Sequence, residues 1–269
     1  MKRAFDHCAD EYARYRLAYP AGVFEVLEDA AGEVAGPCRR LAADVGAGTG
    51  IFTRQLAGHG WRVVAVDPSA AMLRHATAGG ETGSGGGLIL RVCASAEATG
   101  LAGGSVELVA AAQAFHWFNP PYALAEFARV LTPGGILALV WNNRDASRST
   151  FVEAYESLIA RYNPGYRREY RQQDWAGKIA VGGAFEPARY DGFDHEWRPS
   201  VEEFVGFSRS VSYIRNVLSR EDRPRFEDDL CRLVREHFGE GACHIPMHTD
   251  LWAARRVSSK GRGASIVSA

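Results

Sequence analysis

The sequence has little excess charge and no long hydrophobic run. Its 269 residues include 31 basic and 32 acidic side chains, which gives a net charge of -1. A nearly neutral chain has no basic field that would collect a polyanion, so a nucleic-acid substrate is disfavoured. No stretch approaches the roughly 18 consecutive apolar residues of a membrane-spanning helix. The composition therefore favours neither a nucleic-acid substrate nor a membrane-spanning segment.

Cysteine is scarce and dispersed. The chain has five cysteines, and none of them forms a Cys-x-x-Cys pair. An odd, scattered set is typical of reduced thiols and not of a disulfide framework or a zinc site. The first residues also lack the basic start and apolar stretch of a secretion signal. We therefore expect a cytoplasmic protein without a bound metal.

The first half of the chain alternates between two hydrophobic patterns. Short apolar runs with β-branched residues predict strands, and segments of helical periodicity follow them. The predicted strands are Leu41 to Val45, Arg62 to Val66, Leu88 to Cys93, Val106 to Ala111 and Ile136 to Trp141. Strands that alternate with helices predict an α/β fold with a parallel sheet and helices on both faces.

The pattern changes after residue 145. Residues 149–240 predict mostly helices, with one short extended stretch near residues 195–198, and Cys243 to Ala253 is a candidate last strand. We expect a cofactor-binding core with an N-terminal lid over residues 1–145. A helical substrate cover with the last strands of the sheet would occupy residues 146–256. The Ser/Gly-rich residues 257–269 would form a flexible tail.

The segment most informative about chemistry is Asp-Val-Gly-Ala-Gly-Thr-Gly at residues 44–50, between the first strand and the next helix. Its glycines permit a sharp turn and a close approach of a ligand to the backbone, and the helix start directs free amides into the crevice. The dinucleotide fingerprint Gly-x-Gly-x-x-Gly fails in both frames, because Ile51 and Thr53 occupy the third glycine position. An NAD-dependent dehydrogenase is therefore less favoured.

An acidic residue, Asp67, ends the second predicted strand. A carboxylate at this place can accept both hydroxyls of a ribose. Asp67-Pro68-Ser69 also has the composition of a helix start, in which Asp67 would be the N-cap. The order strand, glycine turn, helix, strand and acid favours ligand binding over a purely structural role.

With these motifs the sequence resembles the class I S-adenosylmethionine-dependent methyltransferases. Within them it is similar to the methyltransferase type 11 and trans-aconitate methyltransferase-like group, which acts on small molecules. The matching segments are residues 12–20, 44–50, 66–69, 94–97, 112–118 and 130–135. In the first of them Leu17 replaces the proline of the family's pattern. The resemblance is strong over residues 1–145 and weak beyond them.

The resemblance implies a Rossmann-like, seven-stranded methyltransferase sheet, with Cys243 to Ala253 as a final antiparallel strand, and S-adenosyl-L-methionine as the cofactor. The glycines and the backbone near them would hold the methionine part, Asp67 the ribose, and the residues after the third strand the adenine. The predicted cofactor-binding residues are Tyr12, Asp44, Gly46, Gly48, Asp67, Pro68, Met72, Ser95, Ala96 and Gln113.

An aromatic segment, Phe115-His116-Trp117-Phe118, follows the fourth strand at the edge of the crevice. We expect the two phenylalanines to cap the core and His116 to lie in the cleft, as a base, a hydrogen-bond partner of the substrate or a structural prop. His116 is the predicted catalytic residue. The following Asn-Pro-Pro-Tyr, residues 119–122, is a tetrapeptide that amide methyltransferases use, but here it lies too far beyond the strand and fits a helix start.

The predicted substrate-binding residues are Trp117, Asn142, Arg144 and Tyr155, with other aromatic residues of the cover, such as Tyr213, as further candidates. The sequence thus predicts methyl transfer to a small organic acceptor, either a bacterial secondary metabolite or a carboxylic acid. A carboxylate acceptor would need no base. The alternative is a protein of the same fold that binds adenosylmethionine and catalyses another reaction or none.

Overall fold

The structure is a computed structural model, and it describes residues 13–32, 40–76, 88–167 and 173–258. Tyr12, a predicted cofactor contact, lies outside the described residues, as does most of the predicted tail. The strands are β1 (Leu41–Val45), β2 (Arg62–Val66), β3 (Ile89–Val92), β4 (Val106–Ala112), β5 (Leu131–Arg144), β6 (Arg189–Trp197) and β7 (Ile245–Arg255).

Helices connect and cover these strands. They are α1 (Ala21–Ala31), α2 (Ile51–Gly58), α3 (Ala70–Leu73), α4 (Pro120–Val130), α5 (Thr150–Tyr162), α6 (Trp175–Ala180), α7 (Val201–Ser210), α8 (Ser212–Arg215) and α9 (Asp222–Phe238). Helix α4 begins at the Asn-Pro-Pro-Tyr segment, with Asn119 as the N-cap residue and proline in the first turn. The interpretation of this segment as a helix start is therefore confirmed. No helix in the described part of the chain has the length and hydrophobicity needed to cross a membrane.

The seven strands form one sheet in the order β3-β2-β1-β4-β5-β7-β6. Strands β1 to β5 are parallel to one another, and β7 lies between β5 and β6 and is antiparallel to both. The predicted seven-stranded sheet with an antiparallel last strand is confirmed. The strand order reverses between β1 and β4, so their carboxyl ends open a crevice of the kind in which α/β proteins bind ligands.

Two strands differ from the prediction. Strand β6 has nine residues, whereas the sequence predicts only a short stretch near residues 195–198. The prediction is too short because the polar, partly exposed sequence of β6 lacks the β-branched run that marks a buried strand. Strand β5 already begins at Leu131 and includes the Pro-Gly-Gly that predicts a turn. The register with β4 shifts there, from Val106 opposite Leu131 to Leu108 opposite Ile136, and Gly134 has a φ of 77°. The turn residues thus form an irregularity within a strand.

Apolar side chains form a core on each face of the sheet and a third one in the helical part. Helices α1 and α2 bury Phe24 and Leu56 on one face, and α4 buries Phe127 on the other. The third cluster joins α5, α7 and α9 to the start of β7, and Leu17 from the N-terminal segment packs against it. This third core therefore lies beside the carboxyl end of β5, where the site is expected.

Candidate active site

The glycine-rich loop after β1 adopts a backbone that only glycine tolerates well. Gly46, Gly48 and Gly50 have φ angles of 73°, 55° and 77°, in the left-handed region. A Cβ on Gly46 would lie 2.5 Å from the Cβ of Ala114, and a Cβ on Gly50 would lie 2.5 Å from the Cα of Ala76. The loop is therefore fixed both by its conformation and by close packing against the chain around it.

The carboxylate of Asp67 bridges this loop and the start of α3. Its Oδ2 accepts a hydrogen bond from the Gly48 amide at 2.9 Å, and its Oδ1 accepts one from the Ser69 amide at 2.8 Å. The N-cap of α3 is Ser69, whose hydroxyl accepts from the Met72 amide. The alternative role of Asp67 as the N-cap is thus wrong, and its carboxylate lies at the crevice beside the glycine loop.

A second carboxylate, that of Asp44, is buried below the loop with 1% of its surface exposed. Its Oδ2 accepts a hydrogen bond from the Thr53 hydroxyl at 2.6 Å, and its Oδ1 has no hydrogen-bond partner among the described residues. Burial raises the pKa of Asp44 to about 7 despite the hydrogen bond from Thr53, and the charge of Asp67 raises it further. The buried Oδ1 and the two acids suit a cationic ligand with N–H donors.

The residues predicted to meet the adenine lie at the carboxyl ends of β2 and β3. The Ala94 amide donates to the Asp67 carbonyl, which keeps Ser95 and Ala96 beside the acid. The side chain of Met72 is buried, and its methyl carbon is 3.4 Å from where a Cβ on Gly48 would lie. The described residues predicted to bind the cofactor thus share one edge of the sheet.

Gln113, directly after β4, has a φ of 54° and is the only non-glycine residue in the described part of the chain with a positive φ. Its amide donates to the Val140 carbonyl at 2.8 Å, and its Nε2 donates to the Asn142 carbonyl at 2.6 Å. Backbone strain of this kind persists where the surrounding structure holds it, often at functional sites. Gln113 therefore joins the cofactor crevice to the end of β5.

His116 lies in a short 3-10 turn next to the crevice. Its Nδ1 accepts a hydrogen bond from the Trp141 indole at 3.3 Å, so the proton of the neutral ring is on Nε2. Burial lowers the pKa of His116 to about 4, which keeps the ring neutral at physiological pH. These features favour a hydrogen-bonding or structural role over that of a base. Trp117 is 40% exposed beside it, whereas Phe115 is fully buried, as expected.

A small cavity of about 70 Å³ lies beside Gln113. Ile51, the residue directly after the glycine loop, also lines it, and Ala114, the residue after Gln113, packs against Gly46. Its wall combines both halves of the chain. The lining includes Arg16 and Tyr19 from the N-terminal segment, Ile51, Gln113, Asn142 and Arg144 from the core, and Trp197, Phe207, Tyr213 and Met247 from the later elements. We call this cavity the acceptor pocket.

Arg144 is the most buried charge at the acceptor pocket, with 4% of its side chain exposed. Its Nη2 donates to Glu156 at 2.7 Å and to the Tyr213 hydroxyl at 3.1 Å, and its Nε has no partner among the described residues. The guanidinium of Arg16 lies 5.2 Å from the ring centre of Phe207, and that of Arg144 lies 5.9 Å from the same centre. Two guanidinium groups therefore flank one aromatic ring at the pocket.

Tyr155 is fully buried and supports Arg144 from behind. Its ring centre is 5.0 Å from the Arg144 guanidinium carbon, and its hydroxyl donates to Ser208 at 2.9 Å.

The sequence analysis did not predict two residues of the acceptor pocket, Arg16 and Phe207. Only the match of residues 12–20 to the family's N-terminal pattern could have indicated Arg16, and no local signal marked Phe207.

The N-terminal segment is held against the pocket by two side chains. Gln55 of α2 accepts from the Tyr19 amide at 3.0 Å and donates to the Tyr19 carbonyl at 2.8 Å. Asn142 Nδ2 donates to the Ala18 carbonyl at 3.2 Å. The segment thus forms a wall of the acceptor pocket and contacts the helix that follows the glycine loop.

A larger cavity of about 740 Å³ opens on the other face of the sheet. Trp175, Trp252 and Asp250 line it, and it shares Arg144 with the acceptor pocket. Neither Gln113 nor Ile51, which directly follows the glycine loop, lines it. The smaller cavity is therefore the better candidate for a reaction at the crevice.

Comparison with known proteins identifies this arrangement. A family model of a methyltransferase domain matches residues 43–139. The methyltransferase-like protein C25B8.10 of Schizosaccharomyces pombe, which is uncharacterised, is 31% identical over 229 residues, 84% of this chain and 83% of the relative. The chain belongs to the class I S-adenosylmethionine-dependent methyltransferase family. The family's cofactor is S-adenosylmethionine, and the glycine loop, the orphaned Oδ1 of Asp44 and Asp67 fit its cationic methionine part and its ribose.

Other relatives agree with this family assignment. The uncharacterised methyltransferase Rv3342 of Mycobacterium tuberculosis is 38% identical over 161 residues, and the match spans 60% of each chain. The chain thus covers less than two thirds of that relative's length. The structure of a proposed type II methyltransferase from Anaeromyxobacter dehalogenans is 26% identical with a TM-score of 0.68, over 91% of this chain and 99% of the other.

Proposed function

We propose that the protein transfers the methyl group of S-adenosylmethionine to a small organic acceptor that carries a carboxylate. The observation that carries this proposal is the acceptor pocket, in which Arg16 and Arg144 lie next to Gln113 at the edge of the crevice. Among the described residues that line the pocket there are two arginines and no carboxylate. An anionic acceptor is therefore favoured over an amine.

Backbone groups and two acidic side chains support the proposal that the crevice binds S-adenosylmethionine. Gly46 and Gly48 give the loop its left-handed turn beside the crevice, where we propose that the methionine part binds, Asp67 can accept from the ribose, and Asp44 offers a buried carboxylate oxygen to a cation. When bound, S-adenosylmethionine supplies an electrophilic methyl group on a sulfonium. Pro68, Met72, Ser95 and Ala96 are proposed to hold the adenine, and Tyr12 is proposed to close over the cofactor.

The buried positive charge of Arg144 supports the proposal that the acceptor pocket binds a carboxylate away from water. Arg144 can hold an acceptor carboxylate through its Nε while Glu156 keeps the guanidinium in place. A carboxylate is already a nucleophile, so no residue has to remove a proton, and His116 has a structural role as the hydrogen-bond acceptor of the Trp141 indole. Positioning and desolvation then supply most of the rate. We propose that α5, α7 and α8 cover the acceptor, with Trp117 at the entrance.

We also retain two proposals that come from the sequence, a cytoplasmic location and a role in secondary metabolism. The role in secondary metabolism determines which candidate acceptors should be tested. The panel of acceptors contains aliphatic and aromatic carboxylic acids, phenols and amines of similar size.

The test is methyl transfer from radiolabelled S-adenosylmethionine to this panel. We expect label in carboxylic acids as methyl esters, which release methanol in base. Calorimetric binding of S-adenosylhomocysteine, measured first, separates cofactor binding from turnover. Transfer to amines or phenols only would contradict the carboxylate assignment, and no binding of S-adenosylhomocysteine would contradict the enzymatic one.

A further inference from the structure

A chain of hydrogen bonds runs from the edge strand of the sheet to the acceptor pocket. His195 on β6, Thr249 on β7 and Asn142 on β5 share one face, because Thr249 is paired with Asn142 and with Phe193, two residues from His195. His195 Nε2 lies 3.0 Å from Thr249 Oγ1, and that hydroxyl donates to Asn142 Oδ1. Thr249 is fully buried, whereas Asn142 lines the pocket.

The direction of these hydrogen bonds follows from one backbone group. The Ala18 carbonyl can only accept, so Asn142 must present its Nδ2 to Ala18 and its Oδ1 to Thr249. Thr249 has a single proton and gives it to Asn142. It can therefore only accept from His195, whose Nε2 must carry a proton.

This direction decides what Asn142 offers to the pocket. A carboxamide nitrogen has two hydrogens, and the Ala18 carbonyl takes one of them. We propose that Thr249 and His195 are positioning residues that keep the second N–H of Asn142 directed at an oxygen of the methyl acceptor. The inference rests on the proposed function, and it adds two residues that do not touch the acceptor themselves.

The proposal explains why polar groups are retained at a fully buried position. A buried hydroxyl that makes no hydrogen bond destabilises a protein, and valine has nearly the shape of threonine. Without the Thr249 hydroxyl, Asn142 Oδ1 would lose its donor, and the carboxamide could rotate away from the pocket. Serine would keep the hydroxyl and lose only a methyl group.

The first experiment uses the full chain loaded with S-adenosylhomocysteine and benzoate as a carboxylate probe. For Thr249→Val we expect the dissociation constant of benzoate, measured by calorimetry, to rise about 3- to 10-fold, the value of one hydrogen bond. Thr249→Ser should stay within about twofold of the wild type by the same reasoning. Thr132→Val, at the opposite end of β5, is the matched control and should change nothing.

The outcomes separate this inference from the proposed function. If the wild type does not bind S-adenosylhomocysteine, the proposed function fails. If the wild type binds S-adenosylhomocysteine but not benzoate, the role of Thr249 is overturned. The same holds if Thr249→Val binds benzoate as tightly as the wild type does. An equal loss in the serine and valine variants would indicate packing of the methyl group and would also overturn it.

A second measurement needs no acceptor. Nitrogen-15 chemical shifts of the His195 ring report which nitrogen carries the proton in the neutral form. We expect the Nε2–H tautomer in the wild type. The Nδ1–H tautomer would reverse the direction of the chain and overturn the proposal.

Discussion

The cofactor crevice and the acceptor pocket are neighbours, yet they are built in different ways. The crevice consists mainly of backbone and of residues within one strand-turn-helix-strand unit, from Asp44 to Asp67. The pocket consists of side chains from distant parts of the chain, with Arg16, Gln113, Asn142 and Arg144 among its polar members. In the proposed function, a general cofactor would thus meet a fixed local motif, whereas the acceptor would meet a surface that substitutions can change one residue at a time.

The largest expected effect is on the free energy of unfolding, and it comes from removing the buried charge of Arg144 at the acceptor pocket. Arg144→Leu leaves Glu156, itself 5% exposed, without its cation. We expect the free energy of unfolding, measured with urea, to fall by about 3–5 kcal/mol. The double variant Arg144→Leu/Glu156→Leu should recover most of that loss, because no charge then remains unpaired.

An exposed ion pair provides the control for this prediction. Arg209 and Glu227 form a salt bridge of similar length, 2.6 Å, but with 47% and 28% of their side chains exposed. Arg209→Leu should cost at most about 1 kcal/mol. An equal loss in both single variants would mean that burial of Arg144 has no special energetic role.

In the cofactor crevice, Asp67 is expected to have the largest effect on binding. Asp67→Ala removes a carboxylate that accepts from the Gly48 amide and that we propose binds the ribose. Hydrogen bonds to a charged group contribute about 1.5–3 kcal/mol, so the dissociation constant of S-adenosylmethionine should rise roughly 10- to 150-fold. Glu186→Ala, an exposed acid remote from the loop, is the control in the same calorimetric titration. Unchanged affinity after Asp67→Ala would remove the ribose assignment.

The glycine loop offers a comparison of conformation with packing. Gly46 and Gly60 both have a left-handed backbone, but a Cβ on Gly46 would collide with Ala114, whereas nothing lies within 4 Å of a Cβ on Gly60. Gly60→Ala should cost about 1 kcal/mol of unfolding free energy, from conformation alone. Gly46→Ala should cost about 1–3 kcal/mol and weaken cofactor binding as well. Equal effects of both variants on cofactor affinity would show that the tight packing around Gly46 is unimportant.

The same contrast explains what could be predicted from the sequence. The glycine loop and Asp67 lie 17 to 23 residues apart and follow apolar runs, so a local pattern was sufficient to place them at one sheet edge. Asn142 and Arg144 were found because they end a parallel strand at the crevice. Arg16 reaches the pocket, and Thr249 reaches Asn142, only through long-range packing, which no periodicity encodes. Strand β6 was underestimated for a related reason, because an edge strand needs no apolar run.

The last expected effect concerns pH, and it involves the cofactor side alone. The Asp44 carboxyl has a pKa of about 7 in the folded protein, against an ordinary value of 3.8. Because the folded state holds this proton more tightly than the unfolded one, the contribution of Asp44 to stability should fall as the pH rises from about 4 to about 7. It should be constant above that range. Urea unfolding across this interval, compared with Asp44→Asn, measures the difference.

Cofactor affinity should change in the opposite direction over part of that range. A cation at Asp44 favours the ionised carboxylate, whose share rises from about 9% at pH 6 to about 50% at pH 7 for a pKa near 7. The affinity for S-adenosylmethionine should therefore rise by about fivefold over this unit and then level off. Asp44→Asn should abolish the dependence, because an amide does not titrate. A flat pH profile in the wild type would mean that the charge of the cofactor does not interact with Asp44. Cofactor binding in the crevice would then depend even more on backbone groups than the comparison with the acceptor pocket indicates.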